Sequence, residues 1–153
     1  MHSDPVYVSA PRPTVFAEGI EFQDYVCAHL AHEHIILQNL SSKKYQMMIG
    51  ENLQGFEIKL DLRCTDTNRL SIEVAEKRDA AHDRWTPSGV CRNDNSWLYI
   101  QGNYHLFFIF GKNQLLRYFK KNPHTDESHG TVRKFYLPFS DAEIMALKIM
   151  DFR

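Results

Sequence analysis

The chain of 153 residues is 43% hydrophobic and 12% aromatic, which excludes a disordered chain and suits one domain with a real core. A formal net charge of −1 excludes a globally basic nucleic-acid binder, so a polyanionic partner must be met by cations clustered locally. Cys27, Cys64 and Cys91 are scattered without CxxC spacing, which argues against a zinc site or a disulfide framework and fits a reducing cytoplasm.

Residues 1–17, with Pro5, Pro11 and Pro13, are expected to form an extended N-terminal arm, and 18–153 a single domain. From Gly19 to about Glu33 the recurrence of Phe22, Val26 and Leu30 predicts a helix, with Glu18, Glu21 and Asp24 near its positive end. Ile35–Leu37 reads as a short buried strand, Ser41–Lys44 as a turn and Tyr45–Ile49 as a second strand. Gly50 and Gly55 bracket a tight connection. Two alternating strands follow over 56–61 and 70–77, joined by a polar loop of hairpin length. Residues 78–96, containing Pro87 and Gly89, read as a long loop. Trp97–Ile100 and Leu106–Phe110 predict a buried hairpin turning at Gln101–Asn103, its second strand covered on both faces. Asn113 is expected to cap a helix from Gln114 to Lys121, followed by a polar loop over 122–130. An edge segment over 133–139 and a helix from Asp141 to about Met150, with Ser140 and Glu143 as a capping box, complete the chain. No stretch approaches the roughly 18 apolar residues of a membrane span and no basic-then-apolar leader pattern is seen, so a cytoplasmic, intracellular protein is expected. This order of elements predicts an α/β fold, bordering on α+β.

In the first alternating strand Glu57, Lys59 and Asp61 share one face, and Phe56, Ile58 and Leu60 the other. In the second, Ser71, Glu73, Ala75 and Lys77 alternate with Ile72, Val74 and Glu76. An ordinary exposed sheet face alternates in the same way, but here carboxylates and lysines are grouped together. If the strands pair antiparallel with Glu57 opposite Lys77, then Lys59 faces Ala75 and Asp61 faces Glu73. A slip of one residue would turn a charged face away. Neighbouring buried carboxylates require protonation or a cation. Mg²⁺ or Mn²⁺ meets that need, because it takes oxygen ligands and keeps waters able to attack a phosphodiester. Asp61, Glu73 and Glu57 form the expected metal set, and Lys59 or Lys77 the cation that stabilises developing phosphorane charge.

Glu57-Ile-Lys59 resembles the acid-x-Lys element of the PD-(D/E)xK nuclease superfamily, which includes restriction endonucleases and phage resolvases. The loop from Pro87-Ser-Gly-Val90 to Asp94-Asn-Ser-Trp97, followed by an apolar strand, resembles phage-type members. The resemblance spans residues 19–119. It implies a restriction-endonuclease-like mixed sheet flanked by helices and a Mg²⁺-dependent endonuclease acting on DNA. By analogy with enzymes that cut both strands, it also suggests a homodimer. Two alignments stand open. One takes Glu51 as the preceding acid and Glu21 as the helix acid, although only residues 52–56 separate Glu51 from Glu57. The other takes Asp61 and Glu73 as the two acids and leaves Ala75 in the lysine slot, which Lys59 or Lys77 would fill.

Lys43, Lys44, Arg84, Arg92, Lys120 and Lys121 are candidate phosphate contacts. His29 and His32 lack a carboxylate or cysteine at zincin spacing, and His29 on the helix stripe reads as a packed residue. The rival function class is a non-catalytic nucleic-acid-binding or protein-interaction module on the same fold, its charges forming a solvated, ion-paired sheet face.

Overall fold

Phe22, Val26 and Leu30, four residues apart, lie fully buried along one stripe of helix α1 (Val15–His32). The computed structural model of the chain describes residues 15–153. The expected arm therefore lies outside the described residues up to Thr14, and the helix begins ahead of the expected boundary at residue 18. The α1 stripe packs on one face of a four-stranded sheet made of β1 (Phe56–Leu60), β4 (Leu98–Gly102), β5 (Leu106–Gly111) and β7 (Lys148–Asp151), in the order β1-β4-β5-β7. Strand β1 runs parallel to β4, and the other pairs are antiparallel.

A second, antiparallel sheet consists of β2 (Arg69–Glu76), β3 (Thr86–Pro87) and β6 (Val132–Pro138), in the order β3-β2-β6. Leu70, Ile72 and Val74 of β2 join Tyr99, Phe108 and Phe110 of the first sheet in one core, with Phe135 and Leu137 of β6 beside them. Strand β5 splits its side chains between the two cores: Phe107 and Ile109 go to the α1 side, Leu106, Phe108 and Phe110 to the inter-sheet side. Its unbroken apolar run is thus a strand covered on both faces, as the sequence predicts. Helices α2 (Lys43–Met48), α3 (Cys64–Thr67), α4 (Lys112–Lys121) and α5 (Phe139–Met145) complete a mixed α/β domain with two sheets and, among the described residues, five helices. No helix of the described residues is long and apolar enough to cross a membrane.

Several local expectations are corrected. Ile35–Leu37 is not a strand; the chain makes a single antiparallel bridge slightly later, at Asn39–Asn52, and Ile36 is exposed. Tyr45–Ile49 belongs mostly to helix α2, where Lys, Gln and Met are good helix formers and no strand offers a partner. The last helix stops at Met145, Ser140 lies within it rather than capping it, and residues 148–151 instead add β7 to the edge of the first sheet. The 78–96 loop carries the two-residue strand β3 and one 3₁₀ turn, Gly89–Cys91. The largest correction concerns β1 and β2, which are not a hairpin. They lie in different sheets, with Glu57 beside Tyr99, Lys59 beside Gln101, and Glu73 beside Lys134. The expected pairs Glu57–Lys77, Lys59–Ala75 and Asp61–Glu73 do not form. Asn68, in the left-handed conformation at φ 52°, ends α3 and redirects the chain away from a hairpin return.

The segment between the 3₁₀ turn and β4 is held by a buried cation. Lys112 Nζ donates to Arg92 O at 2.7 Å, Asp94 Oδ1 at 3.1 Å and Ser96 Oγ at 2.6 Å, and its charge sits against a carboxylate that is 3% exposed. Replacing Lys112 with methionine would leave Asp94 charged and unpaired. The expected loss is about 3–5 kcal/mol of unfolding free energy, measured by urea denaturation of both proteins.

Candidate active site

Strand β1 is an edge strand, and the backbone groups facing away from β4 must find partners elsewhere. Side chains supply them. Asn52 Oδ1 accepts from Phe56 N at 2.8 Å while its Nδ2 donates to Phe56 O at 2.5 Å, and Glu51 Oε2 accepts from Ile58 N at 2.7 Å. Gly50 and Gly55 make the approach possible, both at positive φ. A Cβ on Gly55 would stand 2.5 Å from Asn95 O and 2.7 Å from Trp97 Cδ1.

With one oxygen fixed on Ile58, Glu51 turns the other toward Lys59. The Lys59 ammonium sits 3.3 Å from Glu51 Oε1 and 3.2 Å from Glu57 Oε1. Glu57 is 1% exposed; its Oε1 meets the Lys59 ammonium and its Oε2 has no donor. Burial raises the Glu57 pKa above the ordinary carboxylate value; Lys59 pulls it back, and Glu51 and Asp94 push it further up. Burial works to lower Lys59, but the charges of Glu51, Glu57 and Glu73 outweigh it and hold the ammonium above its usual range. Tyr99, fully buried beside Glu57 in the parallel pair, has a hydroxyl without a partner. Its phenol is held well above the ordinary value by burial and then by the nearby Glu57, Glu73 and Glu51 charges.

Above this cluster opens a cleft of about 1070 Å³ between the β1 edge and the second sheet. Glu51, Lys59, Asp61 and Glu73 line it, together with Arg69, Arg92 and Lys134. Strand β2 changes register between Glu73 and Ala75, a bulge of the kind that aims side chains at a site. The 3₁₀ turn presses against the same place, since a Cβ on Gly89 would meet Glu73 O at 2.3 Å.

The acids and the lysine of the two alignments therefore separate. Glu51, Glu57 and Lys59 form one cluster, and Glu73 faces the same cleft from β2. Asp61 also lines the cleft, but its Oδ2 accepts from Ser71 N at 2.8 Å and Gln101 Nε2 at 3.2 Å, which ties the two sheets together. Lys77 is not in the cluster: its Nζ donates to Ala80 O at 3.2 Å and stands 4.9 Å from the centre of the Trp85 ring. Glu21 is exposed and does not line the cleft, whereas Glu18 does. Of the candidate phosphate contacts, Lys43 and Arg92 line the cleft; Lys44, Arg84, Lys120 and Lys121 are exposed elsewhere. Among the described residues, no three His, Cys, Asp or Glu side chains are grouped closely enough to hold an ion. Lys59 supplies the positive charge between the two closest acids instead.

Tyr99, Gln101, Arg63, Arg69, Lys134 and Tyr136 escape a reading of the two charged strands. A signal for Tyr99 and Gln101 does exist, since they share one parity within an otherwise apolar strand. Arg69, Lys134 and Tyr136 are brought in by pairing between β2 and β6, and Arg63 by its place at the start of α3. No family model, curated protein or solved structure matches the chain.

A buried acid with a raised pKa stabilises the fold below the unfolded-state value and loses that contribution as pH rises through the folded-state value. Glu57→Gln is therefore expected to melt at a higher temperature than the native protein at pH 7.5. That gap should shrink as pH falls into the ordinary glutamate range, as read by thermal unfolding across a pH series.

Proposed function

We propose that the chain is a divalent-cation-dependent nuclease of the PD-(D/E)xK kind, on a restriction-endonuclease-like arrangement, that hydrolyses DNA phosphodiester bonds. The carrying observation is the pair Glu57-x-Lys59, in which Lys59 lines a cleft, Glu57 lies buried against its ammonium and a second acid, Glu51, meets the same ammonium. The cleft lining adds a second support. Among the described residues Arg63, Arg69, Arg92 and Lys134 all line it and none forms an ion pair, which leaves four cations for phosphate oxygens. Three free cysteines suit work in a reducing cytoplasm.

Mg²⁺ or Mn²⁺, which binds through one or two carboxylates and keeps several waters, would be held by Glu57 and Glu51, the two acids that share the Lys59 ammonium, with no third acid grouped beside them among the described residues. When bound, such an ion supplies an activated water and neutralises phosphate charge. The chain's own groups do the rest. Lys59, kept protonated by its acidic neighbours, offers a fixed positive charge to the phosphate under attack. The cations of the lining hold the flanking phosphates in register. Asp61, engaged by Ser71 and Gln101, keeps the two sheets at a constant separation across the cleft. A rival reading, an ion triad that only closes the β1 edge, draws on the bond from Ile58 N to Glu51.

Plasmid, linear duplex and single-stranded DNA incubated with Mg²⁺ or Mn²⁺ separate the two. Cleavage is expected, reduced at least about 100-fold by Glu57→Gln and by Lys59→Met and left intact by Lys77→Ala. Cleavage that survives both substitutions would remove these residues from the chemistry, and no cleavage of any substrate would favour a binding module.

A further inference from the structure

The cleft has two unlike linings. Helices α1 and α2 contribute Ile20 and Met47, apolar side chains that are 37% and 56% exposed, set among Glu18, Gln23, Lys43 and Gln46. Strands β2 and β6 contribute Arg69, Lys134 and Tyr136. The Arg69 guanidinium lies 3.7 Å above the Tyr136 ring and the Lys134 ammonium 5.4 Å from it. The Tyr136 hydroxyl is itself anchored on Asp126 Oδ2. An arginine stacked in this way keeps its edge N–H donors for an incoming oxyanion while losing little freedom on binding. Among the described residues no carboxylate takes those donors.

We propose that this cleft takes an unpaired polynucleotide strand, with bases against Ile20 and Met47 and phosphates on Arg69 and Lys134. The inference rests on reading the cleft as a phosphodiester site and adds the state of the substrate. In a duplex the base faces are stacked inside and only the backbone and groove edges are on offer, so the apolar lining would meet nothing apolar. An unpaired strand presents base faces, and a thioether packs well on aromatic faces. Access points the same way. Lys59, the charge offered to the phosphate, lines the same cleft as both linings, and Glu57 lies buried against it. Duplex DNA is stiff over roughly 150 base pairs, whereas an unpaired strand turns at each nucleotide.

Binding in EDTA tests this without any catalysis. The full chain is titrated into fluorescein-labelled oligonucleotides of one sequence, as single-stranded DNA, single-stranded RNA and duplex DNA, at one fixed salt concentration, and anisotropy is read. Single strands are expected to bind at least about tenfold tighter than duplex. Arg69→Ala and Met47→Ser, both surface changes checked by thermal melting, should each weaken single-strand binding about fivefold or more, and Met47→Ser, which removes only a base contact, should leave duplex binding unchanged. The DNA and RNA arms identify which sugar the cleft prefers. Duplex binding as tight as single-strand binding, or single-strand binding indifferent to both substitutions, would overturn the proposal. Tight single-strand binding without cleavage in Mg²⁺ would uphold it while removing the hydrolytic reading, and no binding to any oligonucleotide would overturn both.

Discussion

The free edge of β1 is the constraint from which the site follows. An edge strand leaves alternate amides and carbonyls without a strand partner, and here residues 51 and 52 cover them with side chains rather than with another strand. Asn52 imitates a strand neighbour by both giving to and accepting from Phe56. Glu51 uses one oxygen in the same service, which leaves its other oxygen beside the next inward side chain of β1. That side chain is Lys59, and the inward one before it is Glu57. A structural need, closing an edge, thus delivers two acids to one ammonium. The glycines at 50 and 55 are conditions of the arrangement, since side chains there would collide with Asn95 and Trp97.

A second set of bonds fixes how far apart the two sheets stand beside this edge. Gln101 Nε2 reaches both Asp61 Oδ2 and Ser71 O, and Asp61 Oδ2 also accepts from Ser71 N. The end of β1, the middle of β4 and the start of β2 are joined through one amide and one carboxylate. Apolar packing fills the inter-sheet space deeper in, around Ile72, Phe108 and Leu137, all buried. Nearer the β1 edge the packing gives way to the cleft, and the polar ties define its rim. The bulge in β2 and the close approach of Gly89 bring Glu73 to that rim from the second sheet.

What could be read from the sequence was local. The alternation at 56–61 and 70–77, the stripe of α1, the 98–111 hairpin and helix α4 each follow from a period contained within the element itself. The placement of Glu57 and Lys59 on one face follows from the same period. Partnership between strands was not legible. The polar stretch 63–69 has hairpin length, yet it folds into a helical turn closed by Asn68, and β2 leaves for the other sheet. The parallel neighbour of β1 lies beyond the whole of β2 and the following loop, and no local pattern announces that pairing. Tyr99 was missed for this reason, and the Arg69–Tyr136 stack because it depends on β2 meeting β6. The 43–48 segment went wrong for a different reason: a short apolar run without a clear period fits a strand or a helix equally, and exposure decided for the helix.

Among the described residues three lysines stand against carboxylates; Lys148 does so at the surface with Glu33, and the contrast between Lys112 and Lys59 bears on function. Lys112 meets three oxygen acceptors, and its partner Asp94, also bonded by Ser96, is held below the ordinary carboxylate range despite the opposing effect of burial. Such a network, with its groups satisfied, is what a buried charge needs if its task is to hold a loop. Lys59 has carboxylates within ion-pair distance, but around it Glu57 Oε2 and the Tyr99 hydroxyl stay buried without hydrogen-bond partners. Each such group costs about 1–3 kcal/mol relative to a satisfied one, and apolar side chains of similar shape would avoid that cost. The same chain builds a satisfied network a few residues away, so the unsatisfied one does not reflect a fold unable to do better. The Lys112–Asp94 pair is thus accounted for by structure, whereas the Glu57–Lys59 pair keeps buried polar atoms that its fold leaves without partners, and the proposed hydrolytic reading draws on that difference.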